Sequence, residues 1–221
     1  MATQYDIHPS TDLRQLFAEM AVPYQGQEPE KANVIFVGLD ANYAAELFDY
    51  PNFRDRILEY HRDGVAFWKR HGVHHPFLLD EYPTDVGIDG VRYHKQFRKM
   101  NLSSEYADQI SFVELLRVPT TGNTQKTRFW ELFDQEHAKR LDIILSSGRS
   151  RLVLLSNGVI QTMRKANKNF GLFLWLPKSI SPGCFKRIGN TEIHKVMHFS
   201  ASISDDQIAD MGELIRNYSK K

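Results

Sequence analysis

The chain has 221 residues, a formal charge of +1, 42% hydrophobic and 25% charged residues, the make-up of a globular protein large enough to bury a real core. Its one cysteine, Cys184, excludes an internal disulfide framework, a four-cysteine zinc site and a cysteine-ligated iron–sulfur cluster. No apolar run approaches the roughly 18 residues of a membrane span. The amino terminus MATQYDIHPSTD has neither the basic flank nor the apolar stretch of a signal peptide, so a reducing cytoplasm is the expected setting.

The near-zero charge conceals two halves. Residues 1–91 hold 7 Lys and Arg against 15 Asp and Glu, a balance of −8, and residues 92–221 hold 21 against 12, a balance of +9. A basic half suggests one face that meets a polyanion, although segregated solvated charge gives the same numbers. No repeat, low-complexity tract or linker divides the sequence, so a single domain over residues 1–221 is expected.

Four short apolar runs read as strands buried on both faces: Asn33–Leu39, Gln109–Leu116, Arg151–Ser156 and His194–Phe199. Helical spacing separates them at Asn52–Tyr60, at Val65–His71 before Gly72, and at Thr127–Ser147 before Gly148. Lys165–Gly189 reads as a long loop with a short edge strand. Ser204-Asp205-Asp206-Gln207 is a capping box that opens a closing helix. The alternation predicts an α/β fold, a three-layer α/β/α sandwich around a central, mainly parallel four-stranded sheet.

In such a sheet ligands bind beyond the carboxyl ends of the strands. Those ends carry Gly38-Leu39-Asp40-Ala41-Asn42-Tyr43, then Glu114 and Pro119-Thr120-Thr121-Gly122-Asn123, then Ser156-Asn157-Gly158, then His198-Phe199-Ser200-Ala201-Ser202. Two acids, an amide and a histidine are thereby directed to one crevice. His71, His74 and His75 have the spacing of a helical metal clamp, but Gly72 interrupts the helix, and a solvated or DNA-facing loop with no metal is expected there.

GLDANY, His198-Phe199-Ser200-Ala201, VAFWKRHGV at Val65–Val73 and FVELLRVPTTGNT at Phe112–Thr124 together resemble the uracil-DNA glycosylase superfamily, closest to its mismatch-specific uracil/thymine branch. The four segments occur in the family's order and cover roughly residues 33–215. Three positions depart from its pattern: Ala41 and Phe199 stand where prolines are usual, and Glu114 replaces the asparagine that reads uracil.

The resemblance implies a monofunctional glycosylase of base-excision repair that hydrolyses the N-glycosidic bond of a flipped, damaged or mismatched base. It works as a monomer on DNA with no cofactor, and without metal or membrane. Asp40 is implied as the residue that stabilises the sugar cation and activates water, and His198 as a donor to the leaving base. Gly38, Leu39, Tyr43, Phe53, Glu114 and Asn157 would line the base pocket, with Phe53, Phe48 or Tyr43 as the stacking floor. Ser200, Ser202, Thr120, Asn123, Lys95 and Arg98 would meet the DNA backbone, and Ile203 would wedge into the base stack.

As a carboxylate, Glu114 only accepts hydrogen bonds and would suit an edge that presents donors. A salt bridge to Arg117 or Lys126, or a protonated uracil reader, are its other readings. Two other functions share these residues: a nucleic-acid-binding relative that has lost catalysis, and a nucleoside enzyme such as a deoxyribosyltransferase.

Overall fold

A computed structural model of the protein describes residues 4–83 and 89–219. In chain order the described elements are β1 (Asp6–Ile7), α1 (Thr11–Glu19), β2 (Tyr24–Gly26), β3 (Val34–Gly38), α2 (Pro51–Arg62), α3 (Gly64–His71), α4 (Asp89–Arg98), β4 (Ile110–Glu114), β5 (Thr120–Thr121), α5 (Lys126–Glu131), α6 (Gln135–Leu145), β6 (Arg151–Ser156), α7 (Asn157–Phe170), β7 (Gly183–Ile188), β8 (Thr191–Val196) and α8 (Asp205–Ser219).

Six strands form one sheet in the order β2-β4-β3-β6-β8-β7, and β1 pairs separately with β5. The four inner strands are parallel, and β2 and β7 close the two edges antiparallel. The sheet therefore has six strands where four were expected. The expected four are its parallel centre, and the added edges are too short or too polar to stand out in the sequence.

Period-two alternation sends successive residues of β3 to opposite sides. Ile35 and Val37 join Val153, Leu155 and Ile193 beneath α6 and α7, which contribute Leu141, Ile144, Val159 and Met163. Val34 and Phe36 join Phe112, Leu152 and Leu154 on the other side, covered by Trp68 of α3, Phe97 of α4 and Ile208, Met211 and Ile215 of α8. Helices thus pack on both faces.

Several local expectations change. Thr127–Ser147 is two helices, because the Asp134 side chain accepts from the His137 N–H at 3.0 Å and starts α6 afresh. Lys165–Phe170 is the last part of α7, which Gly171 closes in the left-handed conformation at φ 69°, and the edge strand of that stretch is β7. The fourth parallel strand runs Thr191–Val196 and not His194–Phe199. Met197 and His198 have already left the ladder, and Phe199 turns into the core, 2% exposed. The capping box forms as expected: Gln207 N–H donates to Ser204 Oγ at 3.2 Å, and Ser204 N–H donates to Gln207 Oε1 at 3.1 Å. Among the described residues no helix is long and apolar enough to cross a membrane.

Candidate active site

The carboxyl ends of β3, β4, β6 and β8 open into one cavity of about 690 Å³, within the usual range for small-molecule sites. Gly38, Leu39, Asp40, Tyr43, Glu114, Asn157, His198, Ser200 and Asn123 all lie in its wall. The sheet register explains this: Gly38 pairs with Glu114 across β3 and β4, and β6 delivers Ser156 and Asn157 beside them.

Asp40 sits two residues past β3, where the loop is tied down by a parallel bridge between Asn42 and Thr120. Tyr43 N–H donates to the Thr120 carbonyl at 3.0 Å and Thr120 N–H to the Ala41 carbonyl at 2.9 Å. Two hydroxyls then converge on one carboxylate oxygen: Tyr5 donates to Asp40 Oδ2 at 2.8 Å and Thr120 Oγ1 at 2.5 Å. Burial and the nearby Asp40 charge raise the Tyr5 pKa, which keeps that hydroxyl a donor. Asn42 Nδ2 donates to Thr120 Oγ1 at 3.1 Å and to the Gly122 carbonyl at 2.9 Å, which fixes the loop from outside. Among the described residues no hydrogen bond reaches Asp40 Oδ1, so one oxygen is anchored and the other is left for a ligand. Thr120 is fully buried and serves Asp40, so it does not offer a surface contact to a DNA backbone.

His198 has a defined tautomer. Ser200 N–H donates to its Nδ1 at 3.2 Å, so the neutral ring carries its proton on Nε2. Packing against Tyr93, with ring centroids 5.3 Å apart, buries one side of the ring and lowers its pKa. A neutral N–H donor is the result.

Glu114 is the opposite of Asp40. Its Oε2 is buried without a hydrogen-bond partner, and no cation pairs with the carboxyl among the described residues. Arg117 instead lies 3.9 Å from Asp134 and donates to the Ala18 and Met20 carbonyls, so the expected bridge to Arg117 or Lys126 does not form. Burial first, and the Asp40 charge second, hold the Glu114 pKa well above the usual carboxylate range. The carboxyl lies against the Cα of Gly38, where a Cβ would overlap it. A side chain at 38 is incompatible with Glu114 as placed.

The aromatic wall differs from the one expected. Phe53 is 1% exposed and packs on Phe77 and Tyr82 behind the cavity, and Phe48 packs on His8, so neither forms a floor. Tyr43 is in the wall, joined by Tyr60, Phe77, Tyr93, His75 and Phe112, which sequence reasoning missed. Ile203 packs in the core at 9% exposure and projects no wedge, whereas Met197 stands at the cavity wall 46% exposed. Ser202, Lys95 and Arg98 are exposed but outside the wall, and Lys195 is the cation within it.

Nor are His74 and His75 in a solvated loop. They are 3% and 4% exposed, and their stretch folds under α4. His74 Nε2 lies 3.0 Å from His94 Nδ1, and the His75 and His94 rings stack at 3.5 Å. His61 pairs with the Tyr43 hydroxyl at 2.8 Å, while His71 meets Glu59 at 3.2 Å. Desolvation pushes His61 and His94 down to about 3 and holds His74 and His75 well below their ordinary value. All four are neutral imidazoles. Cys184, Glu192 and His194 are the group of possible metal ligands among the described residues; they lie on the β7–β8 hairpin, outside the cavity wall, and Arg187 already pairs with Glu192 at 3.0 Å.

Asp40, Glu114 and His198, up to 158 positions apart in sequence, thus meet at one cavity, with an anchored carboxylate, a neutral imidazole donor and a buried carboxyl in its wall. No family model matches the chain. A search of curated proteins finds no significant relative.

Proposed function

We propose that this protein is a DNA glycosylase that releases a flipped, damaged or mismatched base, uracil or a related one, by hydrolysing its N-glycosidic bond. The observation that carries this reading is Asp40, which shares the cavity with the His198 Nε2–H donor and has both close hydroxyl donors on Oδ2 and none on Oδ1. Cleavage makes the sugar cationic and the departing base anionic. A carboxylate oriented by Tyr5 and Thr120 suits the first charge and can take a proton from the attacking water. A neutral imidazole aimed into the same space suits the second. The wall of phenols and phenyl rings offers faces on which an extruded base can stack.

The fold supports the reading. We take the helices on both faces of the mostly parallel sheet as the three-layer α/β/α sandwich implied by the glycosylase resemblance. Lys195 lies in the wall, and Lys95 and Arg98 are exposed on α4, the helix whose Tyr93 and His94 line the cavity. Duplex approaching that face would release counterions, and affinity should fall with salt at a log–log slope near −0.9 per phosphate neutralised.

The test is a panel of oligonucleotides carrying uracil, hypoxanthine, xanthine or mismatched thymine, run beside the free deoxynucleosides. Asp40→Asn is expected to lower base release by about 10²–10⁴-fold with DNA affinity nearly unchanged. Full activity in that variant removes Asp40 from the chemistry. Turnover of free deoxynucleosides alone would favour a deoxyribosyltransferase-type enzyme, and salt-dependent binding without any release would favour a binding protein.

A further inference from the structure

A buried carboxyl with no partner is expensive, because water has been removed and nothing replaces it. Structural buried acids are normally paired or bonded, and Glu114 Oε2 is neither. Nothing in its surroundings explains it as a stabilising group. On the back of the sheet, His137 of α6 lies 2.8 Å from the Glu114 backbone carbonyl and does not reach the carboxyl. On the cavity side the titratable groups are Asp40 beyond β3, the phenols of Tyr43, Tyr60 and Tyr93, neutral His75, His94 and His198, and Lys195 on β8. The phenols and the imidazoles are uncharged at neutral pH, and Lys195 makes no ion pair with the carboxyl. The nearest charge that matters is Asp40, of the same sign.

The cavity therefore holds two carboxyl groups in opposite settings. Asp40 is half-buried, and two hydroxyls donate to its Oδ2. Glu114 receives none and is pressed against Gly38, which favours its protonated form. A partnerless carboxyl that holds its proton beside a second, hydrogen-bonded carboxylate is an arrangement by which one site supplies both an acid and a base.

We propose that Glu114 is a second catalytic residue, the general acid that hands a proton to the departing base as its bond to C1′ breaks. The inference rests on the glycosylase reading. The electron pair of the C1′–N bond moves onto the base, and the Glu114 proton goes to an oxygen or ring nitrogen of that base. Water adds to C1′ and gives its proton to Asp40. The products are an abasic sugar hydroxyl and a neutral base, with Glu114 left ionised and Asp40 protonated. Proton exchange with solvent restores both. His198 shares the work as a hydrogen-bond donor that keeps its proton.

The side chain also resolves the substrate question that its charge raises. As a protonated acid it offers one donor and one acceptor, as an amide does, so a base edge with adjacent C=O and N–H fits it. Uracil is then a substrate in spite of the glutamate.

The experiment compares the native protein with Glu114→Gln on two oligonucleotides, one carrying uracil and one 5-fluorouracil, whose electron-poor ring leaves without needing a proton. Glu114→Gln keeps the size and hydrogen-bonding pattern but has no proton to give. Uracil release is expected to slow by about 10²–10⁴-fold, with a far smaller loss for 5-fluorouracil. Binding of an uncleavable 2′-fluoro substrate should be unchanged. The alkaline fall of kcat/KM should be present in the native protein and absent from the variant. Infrared difference spectra of the native protein at neutral pH should contain a protonated-carboxyl C=O band that Glu114→Gln lacks, a readout independent of activity. Equal slowing on both substrates, native-like activity in Glu114→Gln, or absence of that band overturns the general acid while the glycosylase reading stands. Failure of the native protein to release any base from the panel overturns that reading and this inference with it.

Discussion

The two faces of the sheet are packed with different materials. Behind it, α6 and α7 meet the strands mostly through the aliphatic Leu141, Ile144, Val159, Ile160, Met163, Val153 and Leu155, with His137 as the buried imidazole of α6. In front, around the cavity, the packing is of rings: Trp68, Phe97, Phe112 and Tyr43 alternate with His61, His74, His75 and His94. The aliphatic face only has to hold the strands in place. The front face has to hold an open cavity rigid, and flat polar rings do that while they bond to one another. The cost is sensitivity to acid, because each buried imidazole must stay neutral.

That difference yields the largest expected effect. In the unfolded chain each of these four histidines takes a proton near pH 6.5, whereas in the folded protein His61 and His94 do so only near 3 and the other two well below 6.5. Between those values the unfolded state binds more protons, so stability present above pH 6.5 is lost as pH falls. His61 and His94 together cost about 3 kcal/mol by about pH 5.5, and His74 and His75 add to the loss, a sizeable part of the whole stability of many domains. Denaturant unfolding followed from about pH 7.5 to 5.5 should show this loss. A flat profile would mean that the front face opens to water.

The aliphatic face gives the next effect. Leu155→Ala should cost about 2–5 kcal/mol, by the same amount at every pH, because it removes packing and no proton site. His61→Gln sharpens the contrast: it should recover about 1.4 kcal/mol of the acid loss at about pH 5.5. A smaller effect of the opposite pH sense belongs to Glu114. Its carboxyl keeps its proton in the folded state well above the ordinary value of 4.5, so stability present below that value is lost as pH rises. Glu114→Gln should therefore raise Tm at about pH 7.5 and change it little at about pH 4.5.

The parallel centre of the sheet was legible because NVIFVGL, QISFVELL and RLVLLS are nearly continuous apolar runs, which only strands covered on both sides require. That pattern led directly to Asp40 and Glu114. The edge strands were not legible: Tyr24–Gly26 is three residues long, and Gly183–Ile188 is largely exposed. For α7, Gly158 and the polar run Lys165–Asn169 obscured a stripe of Val159, Ile160, Met163 and Ala166. The aromatic wall failed for a different reason. Phe53, Tyr60 and Phe77 are all apolar rings near the first motif, and only tertiary packing decides that Phe53 turns away while the other two face the cavity. The burial of His74 and His75 had one weak signal, their place beside Pro76 and Phe77, and the histidine partner at 94 lies twenty residues away.

Gly38 makes two positions answer to one another. Its missing Cβ is the space that the Glu114 carboxyl fills, so a side chain at 38 obliges that carboxyl to swing out of its present place. Among diverging descendants of this chain, alanine or serine at position 38 should accompany a shorter residue at position 114 or a glutamate turned away from the strand, and the present placement of the carboxyl should persist only beside glycine. The same coupling bears on laboratory evolution of the cavity. A library that varies position 114 alone enlarges the cavity, whereas one that varies position 38 alone displaces the Glu114 carboxyl and so changes the cavity at a position it never touched.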